Sequence, residues 1–368
     1  MDAERLADTL RKTGQDHGLV GFGVCTVDPF DEVRFEMDRR IDLGLAGRRR
    51  FTYTDPEVAT AVGRSFPWAE RLVVASVTYL PAAGNPGPGA ANTGRIARFA
   101  TIDHYRPLRL GLAAVAEQLE AIGYRAEVLA DDNRLVDRAA AVRAGVAWWG
   151  KSTMALAPGF GPWLLLGSVV TDAVLPVSPP MIRDCGTCVA CIPACPTGAL
   201  DEEGVLDATR CISYWAQTPG FIPHAIREAW GDRLYGCDDC LEACPPGSRL
   251  AEGAASTAGR VDLVDILERT DKELMAIYAH FYVPRRDARF LRRNALVALG
   301  HSGTGRAVPI LTRYLESGTP VLRGHAAWSL ARIGGDAARA ALQHALSIET
   351  DPAVLEELKA VGREGGSR

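Results

Sequence analysis

The sequence lacks a long apolar run, a marked excess of one charge, and cysteines spread along its length. Because no stretch of about 18 uninterrupted apolar residues occurs, no segment is predicted to cross a membrane. The N-terminal stretch MDAERLADTLRK is charged and amphipathic, unlike a signal peptide. The formal net charge of -4 argues against a strongly basic nucleic-acid binder, although it is compatible with a local basic face. We therefore expect a cytoplasmic protein.

Eight of the nine cysteines fall between positions 185 and 244. Residues 185–196 read CGTCVACIPACP, which is the C-x2-C-x2-C-x3-C-P run of bacterial ferredoxins. Residues 237–245 read CDDCLEACP, a second such run without its first cysteine, and Cys211 can take that place. A reducing cytoplasm disfavours structural disulfides. The spacing therefore predicts thiolate ligands for iron–sulfur clusters.

In such runs the first three cysteines bind one cubane cluster and the fourth binds the other, so we expect two [4Fe-4S] clusters. Two zinc knuckles are the alternative, but the interlocked x3-C-P endings disfavour them. Cys25 lies in the apolar stretch LVGFGVCTV and is predicted to be a small core residue. The predicted ligands are Cys185, Cys188, Cys191 and Cys244 for the first cluster, and Cys195, Cys211, Cys237 and Cys240 for the second.

The N-terminal part of the chain has the pattern of an α/β domain, which could hold the terminus that a relay of single electrons needs. Pro107 suits the first turn of a helix, and the Gly/Pro-rich residues 82–94 predict a loop. Helical periodicity covers residues 2–17, 107–122 and 134–145, and β-rich stretches cover residues 19–27, 72–79, 124–130 and 163–171.

The C-terminal part of the chain repeats itself. LRRNALVALG (291–300) matches LRGHAAWSLARIG (322–334) at an offset of 31 residues, and a second helical stretch follows each. This predicts helix pairs of the HEAT kind, with an incomplete third unit near 351–363. Such arrays bind macromolecules on a concave surface. Candidates for phosphate contacts, unless they simply form a solvated charged face, are Arg285, Arg286, Arg289, Arg292 and Arg293.

The length of 368 residues predicts two or three domains. From these patterns we expect an α/β N-terminal domain at residues 1–180. A ferredoxin-like insert with two [4Fe-4S] clusters is expected at residues 181–254, and an all-α domain of HEAT-like repeats at residues 255–368.

Several motifs occur together in one order. They are RAGVAWWGKSTM (143–154), CGTCVACIPACPTGAL (185–200), RCISYW (210–215), YGCDDCLEACP (235–245) and the two repeat segments. In this combination the chain resembles the epoxyqueuosine reductase family over roughly residues 40–335. The ferredoxin run alone is shared by many electron carriers, whereas its combination with WWGKST, CISYW and the repeats is specific.

The resemblance implies a cobalamin-dependent iron–sulfur enzyme of tRNA modification. Such an enzyme reduces the epoxide of epoxyqueuosine at the tRNA wobble position and gives queuosine. The resemblance also implies that the N-terminal domain binds cobalamin and that the repeats hold tRNA. The clusters would pass electrons singly to the cobalt, and a ferredoxin or flavodoxin is the expected donor. We expect a monomer that has no membrane partner.

The family carries its catalytic acid in a V-D-x-x-P-x-x-E-R segment ahead of a GKxT motif. Counting back from Gly150 and Lys151 maps this segment onto ADDNRLVDRA, which places the acid at Asp131 with Asp132 as the neighbouring alternative. An apolar corrin floor would keep such a carboxyl protonated by desolvation. A turn or a helix N-cap is the plainer explanation of Asp-Asp-Asn.

The same resemblance implies contacts to the corrin. Arg98, in GRIARFA, matches the family's ARYA stretch and is expected to contact the corrin or the nucleotide. Lys151 could instead be a plain surface cation. The cofactor contacts implied position by position are Arg98, Gly150, Lys151, Ser152, Thr153, Ser213, Tyr214 and Asp238.

Several positions depart from the family pattern. His104 stands in an acidic position, Arg106 stands in a histidine position, and Arg134 replaces the proline of the acid segment. Cluster residues are thus kept while pocket residues differ. Two alternatives follow: a paralogous cobalamin-dependent reductase with another substrate, as in the related reductive dehalogenases, or an electron carrier with two clusters and no enzymatic activity.

Overall fold

The computed structural model describes residues 2–48, 51–80, 91–253 and 259–365. The chain forms two compact units, each assembled from three stretches. Unit 1 comprises residues 1–82, 103–209 and 239–254, and unit 2 comprises residues 83–102, 210–238 and 255–368. None of the helices described is both long enough and apolar enough to span a lipid bilayer.

The described residues contain nine strands and eighteen α-helices. The strands are β1 (Gly21–Thr26), β2 (Arg71–Thr78), β3 (Thr93–Ile96), β4 (Ala126–Leu129), β5 (Trp148–Trp149), β6 (Ala155–Leu156), β7 (Leu164–Thr171), β8 (Arg233–Tyr235) and β9 (Gly259–Asp262). The helices are α1 (Ala3–Asp16), α2 (Asp31–Asp42), α3 (Pro56–Thr60), α4 (Val62–Ser65), α5 (Tyr105–Glu120), α6 (Asp137–Arg143), α7 (Cys191–Ala194), α8 (Ile212–Ala216), α9 (His224–Ala229), α10 (Asp239–Glu242), α11 (Pro245–Gly253), α12 (Leu263–Glu268), α13 (Asp271–Ile277), α14 (Arg289–Ser302), α15 (Val308–Ser317), α16 (Pro320–Ile333), α17 (Asp336–Ile348) and α18 (Pro352–Gly365).

A four-stranded antiparallel sheet, in the order β1-β2-β7-β4, lies at the centre of unit 1. Every residue of β7 is buried, and Val73 of β2 lies opposite Val169 of β7. Because successive side chains of a strand point to opposite faces, both faces of this sheet need a cover. Apolar residues at consecutive positions of LLLGSVVT are the sequence signal for a strand covered on both sides.

Helices α5 and α6 cover the two faces of this sheet. Ala139 and Ala140 of α6 pack into one cluster with Leu72 and Val170. On the opposite face, a Cβ placed on Gly167 of β7 would lie only 2.7 Å from Leu112 Cδ1 of α5. The glycine therefore lets α5 approach the sheet closely. These contacts position α5 and α6 on the sheet. The first residues of the two helices are Tyr105 and Asp137.

Unit 2 contains a small sheet and a helical array. The sheet has the order β8-β3-β9. Helices α14 and α16 pack against each other, and α16 also packs against α15 and α18. Leu299, Trp328 and Leu358 belong to their shared core. The apolar positions repeated at an offset of 31 residues therefore face neighbouring helices, as a HEAT-like array requires.

The predicted elements of the N-terminal part are confirmed with ends shifted by a few residues. Helix 134–145, for example, is observed as Asp137–Arg143, and strand 124–130 as Ala126–Leu129. The predicted loop 82–94 falls largely on residues 81–90, which lie outside the described residues. Its last two residues are not loop but begin strand β3, because Thr93 pairs with Asp262 of β9.

One buried arginine ties the array of unit 2 to helix α8. Arg293 is fully buried, and its Nη1 atom donates to the carbonyl oxygens of Thr218 (2.5 Å) and Gly220 (2.8 Å). Its Nη2 atom donates to the carbonyl oxygen of Trp215 (2.8 Å). These carbonyls lie at and beyond the end of α8, where helix carbonyls lack partners. The prediction that Arg293 contacts a nucleic-acid phosphate is therefore wrong, because its guanidinium is enclosed and already bound.

We expect Arg293→Met to lower the free energy of unfolding by about 3 kcal/mol or more, because buried carbonyls would lose charged donors. The matched variant Arg289→Met changes an exposed arginine of the same helix and should cost less than about 1 kcal/mol. Urea denaturation followed by circular dichroism measures both. Equal stability of the two variants would contradict the assignment.

Candidate cluster cavity and acid group

Four of the predicted cluster cysteines line one cavity in unit 1. The cavity encloses about 260 Å3, part of it open to solvent. The protein brings together Cys185, Cys188, Cys191 and Cys244, although the last is remote from the others in sequence. This is the set that the interlocked spacing predicts for the first cluster.

A tight turn between β5 and β6 supports the cavity. Gly150, Lys151 and Ser152 line it together with the cysteines. The Gly150 N–H donates to the Met154 carbonyl (2.8 Å), which closes the turn. A Cβ at Gly150 would lie 2.2 Å from Leu156 Cδ1 and 3.0 Å from the Met154 carbonyl oxygen, so a side chain there would have to displace the buried Leu156. The glycine of the WWGKST motif therefore lets the turn pack closely against β6.

Lys151 is held at the cysteine loop and is not a plain surface cation. Its ammonium donates to the carbonyl oxygen of Gly186 (2.8 Å) and lies 3.0 Å from a carboxylate oxygen of Glu203. Gly186 follows the first cluster cysteine directly, and its φ of +53° is in the left-handed region that favours glycine. Lys151 thus positions the loop that carries Cys185 and Cys188.

Burial raises the pKa of two thiols of the cavity. Burial and the charges of the neighbouring thiols raise the pKa of Cys244 to about 11, although a hydrogen bond from the Gly247 backbone opposes the rise. Burial likewise raises the pKa of Cys191. Bound iron reverses this trend, because a coordinating thiol is deprotonated outright. Within the described ranges no three His, Cys, Asp or Glu side chains are grouped as chelators of a single ion.

The other four cluster cysteines stay a prediction from spacing. Cys195 follows helix α7, and its sulfur accepts a hydrogen bond from the Ala199 N–H (3.2 Å). Such N–H···S bonds are among the contacts that set cluster potentials. Cys211 stands at the N-cap of α8, Cys240 lies in α10, and Cys237 is partly buried.

The two neighbouring aspartates of the acid segment differ in their surroundings. Asp132 accepts two hydrogen bonds from the Arg134 guanidinium (2.9 and 2.7 Å) and one from the Arg134 N–H (2.8 Å). These bonds lower the pKa of Asp132. Burial raises the pKa of Asp131, although the positive charge of Arg109 opposes the rise. Asp131 also has a φ of +57°, a strained backbone for a residue other than glycine.

Sequence reasoning missed three side chains that surround Asp131: Tyr105, Asp137 and Arg138. Burial and the charges of Asp131 and Asp137 raise the pKa of Tyr105. Burial, and next to it the charge of Asp131, raises the pKa of Asp137 well above its ordinary value. Arg138 donates to the Thr153 carbonyl (2.9 Å), which joins this group to the WWGKST turn. The sequence does contain a signal for two of these side chains. The E-R pair that ends the family segment corresponds to Asp137 and Arg138 here.

The acid group consists of Asp131, Tyr105, Asp137 and Arg138. Asp131 and Arg138 are exposed to solvent, yet burial is the largest cause of the pKa shift at each, downward for the arginine. Both side chains therefore combine contact with water and crowding by neighbouring protein atoms. A guanidinium stays protonated even so. The group therefore combines one fixed positive charge with carboxyls that favour their neutral form.

The remaining predicted cofactor contacts have the following places. Ser152 and Thr153 are buried in the turn, with Thr153 at a φ of +66°. Asp238 is buried, and its carboxylate accepts the N–H of Arg98 (2.7 Å), so it fixes the backbone of the ARFA stretch. Ser213 and Tyr214 lie on helix α8.

The arginines near the start of the repeats differ in accessibility. Arg286 donates to the carbonyls of Phe281 (3.1 Å) and Ala279 (3.3 Å), and Arg292 pairs with Asp271. Arg285, Arg286 and Arg289 are exposed. Arg289 pairs with the neighbouring Asp287. Among the described residues, Arg285 and Arg289 are the exposed candidates for phosphate contacts whose guanidinium groups are not bound by backbone carbonyls, so they are the two best placed.

We expect Cys244→Ala to lower bound iron to about half of the wild-type content, or less, because one of two four-iron clusters loses a ligand. Iron analysis and electron paramagnetic resonance of anaerobically reconstituted protein measure this. The matched variant Cys25→Ala changes a buried cysteine outside the cavity and should keep the full iron content. A Cys244→Ala protein with unchanged iron would exclude this thiol as a ligand.

Comparison with known families agrees with both predictions, the iron–sulfur domain and the helical repeats. Residues 184–247 match the family of 4Fe-4S double cluster binding domains. Residues 286–361 match the family of HEAT repeats. The first match spans all eight predicted cluster cysteines, and it confirms the iron–sulfur interpretation over the zinc alternative.

Comparison with whole proteins covers nearly the entire chain. The chain is 30% identical to the epoxyqueuosine reductase of Bacillus cereus over 97% of both chains, and 30% identical to that of Bacillus subtilis over 95% of this chain and 94% of that one. A crystal structure of epoxyqueuosine reductase with an epoxyqueuosine-modified tRNA-Tyr stem loop matches with a TM-score of 0.89, at 29% identity and 99% coverage of both chains. The chain belongs to the epoxyqueuosine reductase family of oxidoreductases.

Proposed function

We propose that this protein reduces epoxyqueuosine to queuosine at the wobble position of tRNA. The observation that carries the proposal is the full-length match to an epoxyqueuosine reductase structure that holds an epoxyqueuosine-modified stem loop. The match includes the acid segment, the cluster cavity and the repeats. We also propose a cytoplasmic location, because that is where a tRNA substrate would be met.

Two [4Fe-4S] clusters and one cobalamin are the cofactors of this proposal. The four thiols of the cavity fit the first cluster, and the remaining four cysteines would hold the second. When bound, cobalamin supplies a cobalt centre that takes up single electrons and acts on carbon. In the WWGKST motif, the Trp148 indole N–H is buried and has no hydrogen-bond partner within the described part of the chain, which suits an acceptor on a ligand. The residues proposed to hold cobalamin are Arg98, Gly150, Lys151, Ser152, Thr153, Ser213, Tyr214 and Asp238.

The protein's own contribution to the chemistry is a proton. The epoxide oxygen leaves as water and must be protonated as its bonds to carbon break. Asp131 is suited to this task, because crowding by neighbouring atoms favours its neutral form while the residue stays exposed at the surface. Asp132 is not suited, because Arg134 holds it as a carboxylate. Arg138 provides a fixed positive charge beside the leaving oxygen.

The proposed partners are tRNA and a low-potential electron donor. Arg285 and Arg289 are the residues of the repeats that we assign to phosphate contacts, which carry affinity but no sequence information. A ferredoxin or flavodoxin is the class of donor that delivers electrons one at a time. We propose that the protein acts as a monomer.

We expect Asp131→Asn to slow queuosine formation by about 100-fold or more, because the variant retains the shape of the acid without its proton. Asp132→Asn is the matched control one residue away and should stay within about tenfold of the wild type. Nucleoside mass spectrometry of reacted tRNA measures the rate, and the visible spectrum shows that both variants bind cobalamin. A larger loss in Asp132→Asn than in Asp131→Asn would reverse the assignment of the acid.

A further inference from the structure

The proposed reaction consumes two protons, and one acid is so far accounted for. The reaction takes two electrons, which a one-electron donor supplies in two steps, and two protons. Together they convert the epoxide to a carbon–carbon double bond and one water molecule. Two carbon–oxygen bonds break, and the oxygen takes one proton at each break. A single carboxyl that gives its proton at the first break must be recharged before the second.

Asp137 is positioned to hold a proton that could recharge Asp131. It is the first residue of helix α6, six positions after Asp131. Its Oδ1 atom is buried and has no hydrogen-bond partner among the residues that the structure describes, and the N-cap residue Val136 makes no side-chain cap. A buried carboxylate oxygen without a partner is costly, whereas a neutral carboxyl tolerates this place much better. The site therefore selects the protonated form of Asp137.

Tyr105 lies near both carboxyls. The charges of Asp131 and Asp137 both act on its phenol. Tyr105 and Asp137 are the first residues of α5 and α6, and Asp131 lies in the segment between β4 and α6. Exposure decreases through the group, from exposed Asp131 to half-buried Tyr105 and to the enclosed Oδ1 of Asp137. A phenol hydroxyl can accept one hydrogen bond while it donates another, so it can pass a proton without becoming ionised.

We propose that Asp137 stores the second proton of the reaction and returns it to Asp131 through the hydroxyl of Tyr105. Asp137 acts through Asp131 and does not itself touch the substrate. The inference rests on the proposed function, because it assigns the second proton of that reaction. After turnover, solvent at the exposed Asp131 restores both protons. At this position the family segment carries glutamate, which would serve the same purpose with a longer side chain.

The proposal has a defined pH dependence. Burial holds the pKa of Asp137 well above its ordinary value, so the store is full at low pH and empties as pH rises through that value. The rate of queuosine formation should fall on the alkaline side for this reason. The charged and titratable groups that interact with Asp137 are Asp131, Asp132, Arg138 and Tyr105. Arg109 acts on Asp131 and Tyr105, and Tyr53 acts on Arg138.

The kinetic test compares Asp137→Asn, Asp137→Glu and Tyr105→Phe with the wild type in the cobalamin-loaded, cluster-loaded enzyme. We expect Asp137→Asn and Tyr105→Phe each to slow queuosine formation by about tenfold or more and to flatten the alkaline limb of the pH profile. The double variant should be no slower than the single variants, because both remove the same path. Asp137→Glu should restore most of the rate. A wild-type rate and pH profile in Asp137→Asn would overturn the proposal.

A second test does not depend on turnover. The infrared spectrum of the holoenzyme without tRNA should show a neutral carboxyl band at pH 7 that shifts in D2O, is absent from Asp137→Asn and is kept in Asp137→Glu. Above the raised pKa the wild type must bury a carboxylate, whereas Asp137→Asn buries a neutral amide. At such a pH the free energy of unfolding of Asp137→Asn should therefore be at least as large as that of the wild type. An unchanged band in Asp137→Asn overturns the proton store. If the wild type leaves the epoxide intact, the proposed function fails, and the band alone decides whether Asp137 holds a proton.

Discussion

Four thiols must meet around one cluster, and much of unit 1 is arranged to meet this constraint. Three of them lie in one short run, but Cys244 comes from a distant stretch of chain. The Trp163 indole N–H donates to the Gly247 carbonyl (3.0 Å), which anchors the backbone just after Cys244. Gly161 has a φ of +58°, and a Cβ there would lie 3.0 Å from the Pro246–Gly247 backbone. The residues leading into β7 thus hold the distant cysteine in place.

The acid group shows how two identical neighbours acquire different chemistry. Arg134 binds Asp132 and holds it as a carboxylate, and its guanidinium lies 5.0 Å from the centre of the Phe66 ring. Asp131, one residue earlier, has the strained backbone and the raised pKa of a proton donor. Arg134, which stands in place of the family's proline, binds Asp132 and leaves Asp131 as the aspartate with the raised pKa. This difference is the basis on which we propose Asp131 as the acid.

The sequence predicted what depends on spacing and periodicity. The four thiols of the cavity followed from C-x2-C-x2-C-x3-C-P, because cluster geometry requires that spacing. The helices of the repeats followed from apolar positions that recur at an offset of 31 residues. Strand β7 followed from an unbroken apolar run. The cysteine run, the repeated apolar positions and the apolar run of β7 are each a local pattern that is typical of one structure.

What the sequence could not predict depends on contacts between distant residues. Arg293 reads as one more member of a basic cluster, and only the fold shows that backbone carbonyls near residues 215–220 enclose it. Asp137 reads as an ordinary first residue of a helix until the buried Oδ1 and the nearby Tyr105 are seen. Burial of charge is a property of the surroundings, which local spacing does not encode.

The most direct test of the account is nucleoside mass spectrometry of epoxyqueuosine-containing tRNA after reaction with anaerobically reconstituted protein and a strong one-electron reductant. The account predicts that the modified nucleoside loses one oxygen atom, and only when both clusters and cobalamin are present. Unchanged tRNA, with cobalamin bound and reduced, would contradict the proposed substrate. Failure to bind cobalamin would contradict the proposed cofactor as well as the proposed substrate. The remaining interpretation would be an electron carrier with two clusters and no enzymatic activity.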